Sequence, residues 1–406
     1  MNTFADFGFL PSIQKTLKEI KLSKTTEIQS QVIPLMMSGQ SVVGVSETGS
    51  GKTLAYVLPV LQILKNLESE GSQVEKESAP RALVMVPTRE LGEQVAKVFK
   101  KFTHDTRLRV RPALGGMTFE QARRNISGPF EVLLATPGRI VQLIERGLLD
   151  LSDLRMLIFD EADQMMDQGF LQDTNFVVSQ CPKETHLSLF SATVSNSVQK
   201  LMTELFMNAE IIRSSKSGKI VESLVTQNLI IKDGKRWPLF EKVLQQKNEG
   251  GTIIFTNTRE QCDKLAKELN EKNYPCVIYR GDMDHSDRRT NLKKFREGQV
   301  EFLVATDLAG RGLDIPSVGR VINYHLPKEM ENYLHRVGRT ARAGRKGLVI
   351  NLVTERDHSL ISRLQTKGKV SLDQSLAHKP KQKSAPKFDP RERRRQKLKA
   401  SVRASK

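Results

Sequence analysis

The apolar run Leu154 to Phe159 ends in Asp160-Glu161-Ala162-Asp163, and the reading of this stretch decides the fold. Six apolar or long residues before two adjacent carboxylates read as a buried strand that delivers acid groups at its carboxyl end. About a hundred residues earlier a second apolar run, Val42 to Val45, leads into Ser46-Glu47-Thr48-Gly49-Ser50-Gly51-Lys52-Thr53. A glycine-rich turn with Lys-Thr after one strand and paired carboxylates after another is equipment for a nucleoside triphosphate.

Working outward, short apolar runs alternate with longer amphipathic stretches. The runs lie near residues 42–45, 82–86, 132–135, 154–159 and 186–190, and then near 252–255, 276–279, 301–305, 320–324 and 348–353. Helical patterns such as Arg89 to Phe102 and Glu260 to Asn270 lie between them. Buried strands alternating with helices predict an α/β fold with parallel sheets covered on both faces. The two series predict two domains, residues 1–213 and 221–366. The Ser/Gly/Lys-rich stretch 214–220 reads as their linker. Glu68 to Pro80 reads as a surface excursion of the first domain. Beyond residue 367 the pattern fades, and 367–406 is expected to be a basic, disordered tail.

The bulk numbers agree. At 406 residues the chain is long for one core. No apolar run approaches the roughly 18 residues of a membrane span, and the N-terminus lacks the pattern of a signal peptide. Cys181, Cys262 and Cys276 are far apart, which suits a reducing cytoplasm and no disulfide framework. The net charge is +18, and Lys379 to Lys406 holds 12 Lys/Arg against 2 Asp/Glu. A basic body with a more basic tail predicts a polyanionic partner, held through a salt-sensitive tether.

Polar signatures follow the predicted strands: Pro87-Thr88-Arg89-Glu90, Thr136-Pro137-Gly138-Arg139, Ser191-Ala192-Thr193 and Thr306-Asp307. Ligands of open parallel sheets bind at that edge. The glycines of the turn let backbone N–H groups approach phosphates, Lys52 reaches the β and γ phosphates, and Thr53 ligates Mg²⁺. Asp160 is placed to hold Mg²⁺ and Glu161 to polarise the attacking water. Arg336, Arg339, Arg342 and Arg345 recur every three residues, as a solvated basic face or as cations for a transferring phosphoryl group. The latter reading is preferred, because the second domain has no other reason to carry them.

From Phe4 to Val353 these motifs, in this order, resemble the DEAD-box ATP-dependent RNA helicases of bacterial type. The resemblance implies two tandem RecA-like domains, with ATP, Mg²⁺ and single-stranded RNA bound across the cleft. It implies that Gln29 reads the adenine with Phe4 beside it, and that residues 46–53 hold the nucleotide. Asp314 would approach the ribose. Lys52, Asp160, Glu161, Arg339 and Arg342 would be catalytic. Asp163, Ser191, Thr193 and His335 would couple hydrolysis to closure. RNA would touch Thr88, Arg89, Gly116, Thr136, Pro137 and Arg139 in the first domain. In the second it would touch Thr258, Arg259, Gly281, Asp282 and Thr306. His325 stands where the family usually has Asp. The implied activity is RNA-stimulated ATP hydrolysis coupled to local remodelling of RNA duplexes or RNA–protein complexes. The expected protein is a cytoplasmic monomer with ribosome-assembly or RNA-turnover partners. An ATP-gated RNA clamp would use the same residues, and a DNA translocase is the other alternative.

Overall fold

The computed structural model describes residues 3–214, 224–232, 234–307, 318–341 and 347–366. The linker predicted over 214–220 (Ser214 apart), the tail from 367 onward, Asp314 and Arg342 lie outside the described residues.

The chain builds two parallel sheets. In the first lobe the strands are β1 (Val42–Val45), β2 (Ala82–Met85), β3 (Val110–Ala113), β4 (Val132–Ala135), β5 (Met156–Phe159), β6 (His186–Ser191) and β7 (Glu210–Arg213). Their order across the sheet is β3-β4-β2-β5-β6-β1-β7. Helices α1 (Pro11–Glu19), α2 (Glu27–Met37), α3 (Lys52–Ser69), α4 (Arg89–Thr106), α5 (Phe119–Ile126), α6 (Pro137–Glu145), α7 (Ala162–Asp167), α8 (Leu171–Ser179) and α9 (Asn196–Leu205) surround it. The second lobe has β8 (Leu224–Ile230), β9 (Gly251–Thr256), β10 (Cys276–Tyr279), β11 (Phe302–Thr306), β12 (Val318–Asn323) and β13 (Gly347–Val353), in the order β10-β11-β9-β12-β13-β8. Its helices are α10 (Arg236–Leu244), α11 (Arg259–Glu271), α12 (His285–Arg296), α13 (Met330–Val337) and α14 (His358–Thr366).

The central strands β1, β2, β4 and β5 are buried at every position. Strand side chains alternate between faces. Val84, Leu134 and Ile158 enter one hydrophobic cluster, and Leu83, Leu133 and Leu157 enter the cluster on the opposite face. Helices close each face with one apolar stripe: α4 buries Leu91, Val95, Phe99 and Phe102. Its start is fixed by Thr88, whose hydroxyl accepts the Leu91 N–H at 3.3 Å.

Every predicted run is a strand. The sequence reading missed β3, β7 and β8, which are sheet edges with broken burial patterns and no unbroken apolar run of four. The predicted excursion from Glu68 begins inside α3, which runs to Ser69. Past that helix the stretch is tied down by Arg81, whose guanidinium donates to the Ser72 and Gln73 carbonyls.

The second sheet holds a polar feature in its interior. Asn228 of β8, Asn351 of β13 and Asn323 of β12 sit side by side in register on three adjacent strands. Asn323 Nδ2 donates to Asn351 Oδ1 at 2.8 Å, and Asn351 Nδ2 donates to Asn228 Oδ1 at 2.7 Å. Asn323 and Asn351 are fully buried, so each lost partner leaves a desolvated amide. Replacing Asn351 by the similarly sized Leu should destabilise the protein by about 2–4 kcal/mol. Urea unfolding of Asn351→Leu checks this, and an unchanged midpoint would contradict it.

Candidate active site

Strands β5, β6 and β1 are neighbours and all run parallel. Their carboxyl ends therefore deliver the carboxylates, Ser191-Ala192-Thr193 and the glycine-rich turn to one edge, about 4.8 Å apart from strand to strand. The Ser46 N–H donates to the Ser191 carbonyl at 3.0 Å, which joins the turn to the β6 end directly.

Two glycines of the turn need their freedom. Gly49 has φ +85° and Gly51 φ +90°, and a Cβ on Gly51 would stand 2.4 Å from the Gln29 amide nitrogen. Gln29 is buried at this spot. Its Oε1 accepts the Thr26 N–H at 2.9 Å and its Nε2 donates to the Gly51 carbonyl at 3.0 Å. The predicted adenine reader is thus already bonded to the end of the turn. Phe4 is only 3% exposed and belongs to the first lobe's core. Lys52 folds back, donating to the Ser46 carbonyl at 2.5 Å and the Glu47 carbonyl at 2.9 Å. Burial lowers its pKa, while Asp160, Asp163, Glu161 and Glu47 pull it upward.

Asp160 is 3% exposed. Its Oδ2 accepts the Tyr56 hydroxyl at 2.7 Å and its Oδ1 accepts the Glu161 N–H at 3.0 Å. Burial, reinforced by the Glu161 charge, pushes its carboxyl up to about 6. Glu161 has φ +50°, a left-handed conformation that is costly for a non-glycine residue. Strain at the residue with the predicted water-activating role is a functional signature that sequence does not carry. Tyr56 was not singled out from the sequence. Its one signal is its position three residues beyond Thr53, on the same face of α3.

Asp163 is 1% exposed. Its Oδ2 accepts the Ala192 N–H at 3.1 Å, the Thr193 N–H at 2.9 Å and the Thr193 hydroxyl at 2.9 Å. Its Oδ1 accepts the Gln164 N–H at 3.0 Å. His335 Nε2, from the second lobe, lies 3.4 Å from the same Oδ2. Burial alone would raise the Asp163 pKa, but His335, Lys52 and the Thr193 hydroxyl hold it well below the usual carboxylate range. Ser191 Oγ donates to the Thr193 carbonyl at 2.7 Å and accepts the Asp163 N–H at 3.3 Å. The two lobes also meet where a Cβ on Gly338 would come within 2.6 Å of Thr48 Oγ1. A third contact pairs Arg288 with Glu90 at 3.2 Å.

The arginine series divides by location. Arg336 is 1% exposed and points into its own lobe. It forms a bidentate pair with Asp307, with NH2 to Oδ2 at 2.8 Å. It also donates to Asn257 Oδ1 at 2.8 Å, Asn323 Oδ1 at 3.0 Å and the His325 carbonyl at 2.5 Å. One guanidinium thereby gathers the carboxyl ends of β11, β9 and β12, and meets the asparagine ladder. Arg339 is 3% exposed, and its Nε donates to the His335 carbonyl at 3.2 Å. Asp307 and Asn257 were missed as partners because Arg336 read as one of a repeating basic series. Arg336→Met strands the Asp307 carboxylate and should cost about 3–5 kcal/mol. Guanidinium-induced unfolding measures it, and a loss below about 1 kcal/mol would mean that the pair acts like an exposed one.

The predicted RNA residues of the first lobe cluster at helix N-termini. Thr88 and Arg89 open α4, Thr136 and Pro137 open α6, and the Gly115 N–H donates to Thr136 Oγ1 at 2.9 Å. Gly116 has φ +75° and lies against the Arg89 guanidinium. Arg139 donates to the Met117 carbonyl and to Gln142. In the second lobe Thr258 caps α11, accepting the Gln261 N–H at 3.2 Å. Asp282, beside Gly281, lies 3.7 Å from Arg259 and 3.6 Å from Arg280. Thr306 ends β11 and is buried. Helix N-termini carry positive potential and free N–H groups, which suits phosphates.

A phosphate turn, a carboxylate strand end and a second lobe that reaches both define a two-lobed RecA-like nucleoside triphosphatase. Residues 26–201 match the DEAD/DEAH box helicase family, and residues 235–344 match the helicase conserved C-terminal domain. The chain is 35% identical to the DEAD-box ATP-dependent RNA helicase CshA of Geobacillus kaustophilus, over 88% of this chain and 74% of the relative. It is 34% identical to RhpA of Helicobacter pylori, over 89% and 72%. It superposes on S. cerevisiae Dbp5 bound to RNA and ADP BeF3 with a TM-score of 0.81 at 27% identity, covering 92% of this chain and 95% of that one. The chain belongs to the DEAD-box ATP-dependent RNA helicases. Its activity is ATP hydrolysis coupled to the remodelling of RNA.

Proposed function

We propose that each site residue does the following. ATP lies along residues 46–53, with Lys52 on its outer phosphates, Gln29 and Phe4 toward the adenine, and Asp314 toward the ribose. Thr53 and Asp160 are the protein's oxygens for Mg²⁺, which neutralises charge on the β and γ phosphates when bound. The residues present fit that ion. Both donors are hard oxygens, and Mg²⁺ takes one or two protein ligands while keeping phosphate and water oxygens. Among the described residues no group of three or more His, Cys, Asp or Glu gathers, so this is no all-protein metal cage.

Glu161 orients and polarises the attacking water, and Arg339 and Arg342 stabilise charge on the transferring group. Thr88, Arg89, Gly116, Thr136, Pro137 and Arg139 hold the RNA backbone together with Thr258, Arg259, Gly281, Asp282 and Thr306. Backbone contacts are largely blind to sequence, and the 2′-hydroxyl favours RNA over DNA. Closure of domains 1–213 and 221–366 about residues 214–220 bends one strand away from duplex geometry. Hydrolysis reopens the cleft, as in other lid-gated cycles. The observation that carries this reading is the single Asp163 oxygen held by Thr193 and faced by His335. It brings the carboxylate stretch, Thr193 and the second lobe together at one atom, which supports a coupling role there.

The protein acts as a monomer in the cytoplasm, on ribosome-assembly or RNA-turnover substrates. The free thiols of all three cysteines agree with a reducing compartment. RNA recovered with the protein from cells distinguishes the two pathways. Glu161→Gln should lower RNA-stimulated ATP hydrolysis at least about a hundredfold while ATP affinity stays within a few fold. Rapid hydrolysis by the folded variant would remove Glu161 from the water-activating role.

A further inference from the structure

We propose that Tyr56 is a positioning residue for the Mg²⁺ site, its hydroxyl holding the Asp160 carboxylate in one orientation. The proposal rests on the assignment of Asp160 to the metal. Tyr56 lies on α3, three residues after Thr53, and is completely buried. Its ring packs on Phe190 of β6 at 5.2 Å between centroids, so the phenol has one position. From there its oxygen lies 2.7 Å from Asp160 Oδ2.

The direction of each bond follows from the groups. An ionised carboxylate only accepts, so the phenol proton points to Asp160. Asp160 is held at its other end by the Glu161 N–H at 3.0 Å, so the carboxylate cannot rotate freely. The Asp160 carboxylate is thus oriented before any ion arrives, in part by a hydroxyl assigned no contact with the ion. A phenylalanine would keep the packing on Phe190 and remove only that orientation. Outer partners of metal ligands act this way elsewhere, through ligand orientation and not through contact.

The test uses Tyr56→Phe in the full chain, with fluorescently labelled ADP as the probe. Mg²⁺ slows release of the probe, and the concentration for half of that effect should rise about tenfold in the variant. Release in excess chelator should be the same for both proteins. RNA-stimulated kcat should recover to near the wild-type value at high Mg²⁺, because no reacting atom is touched. Superimposable Mg²⁺ titrations for wild type and a folded Tyr56→Phe would overturn the proposal. Thr53→Ala and Asp160→Asn, titrated alongside, separate the two levels of the argument. If they shift the curve and Tyr56→Phe does not, only the positioning role fails. If they too leave it unchanged, the metal assignment beneath it is wrong.

Discussion

One carboxylate oxygen, Asp163 Oδ2, is the point on which the two lobes converge. Within its own lobe it accepts two backbone N–H groups and a hydroxyl from Ala192 and Thr193, and His335 of the other lobe stands 3.4 Å away. A buried charge is costly unless it is paired and hydrogen-bonded. Three donors come from β6's end, and His335, facing the same oxygen, gives the leading pull that holds the carboxylate ionised against its burial. Ser46 is bonded to the Ser191 carbonyl beside this cluster, so few residues separate the phosphate turn from the lobe contact.

The second lobe needs stiffness to use that contact, and its interior supplies it with polar groups. Arg336 and the Asn323–Asn351–Asn228 ladder tie five strands and α13 together through directed bonds. A satisfied buried network specifies one arrangement, where an apolar core tolerates several. His335 directly precedes Arg336 on α13, and Arg339, three residues beyond, donates back to the His335 carbonyl. His325 takes part through its backbone carbonyl alone. The non-family side chain there leaves this bond intact, and burial near Arg236 and Arg336 lowers the imidazole pKa to about 4, which keeps it neutral.

Much of this was legible in the sequence, for physical reasons. Central parallel strands are buried on both faces and read as unbroken apolar runs, and each such run is a strand. The edges β3, β7 and β8 need only one neighbour, so polar residues interrupt Glu210–Arg213 and Leu224–Ile230 and neither holds an unbroken apolar run of four. Motif spacing located the phosphate turn, the carboxylates and Ser191–Thr193, because local geometry after a strand is written in consecutive residues. What stayed hidden depends on residues far apart in sequence. Tyr56 meets Asp160 across 104 positions and Arg336 meets Asn257 across 79. Nothing local distinguishes a tyrosine or asparagine that finds such a partner from one that fills space. The strain at Glu161 is equally invisible, since its φ is imposed by the turn from β5 into α7.

The central claim is that Asp163 joins nucleotide state to lobe closure. Energy transfer between dyes placed on the two lobes measures closure directly, with a non-hydrolysable ATP analogue, with single-stranded RNA and with both. The account predicts high transfer in the wild type only with both ligands. It predicts little transfer under any condition in Asp163→Asn, whose side chain keeps the shape and loses the charge. Full closure of Asp163→Asn, with both ligands bound as tightly as in the wild type, would contradict it.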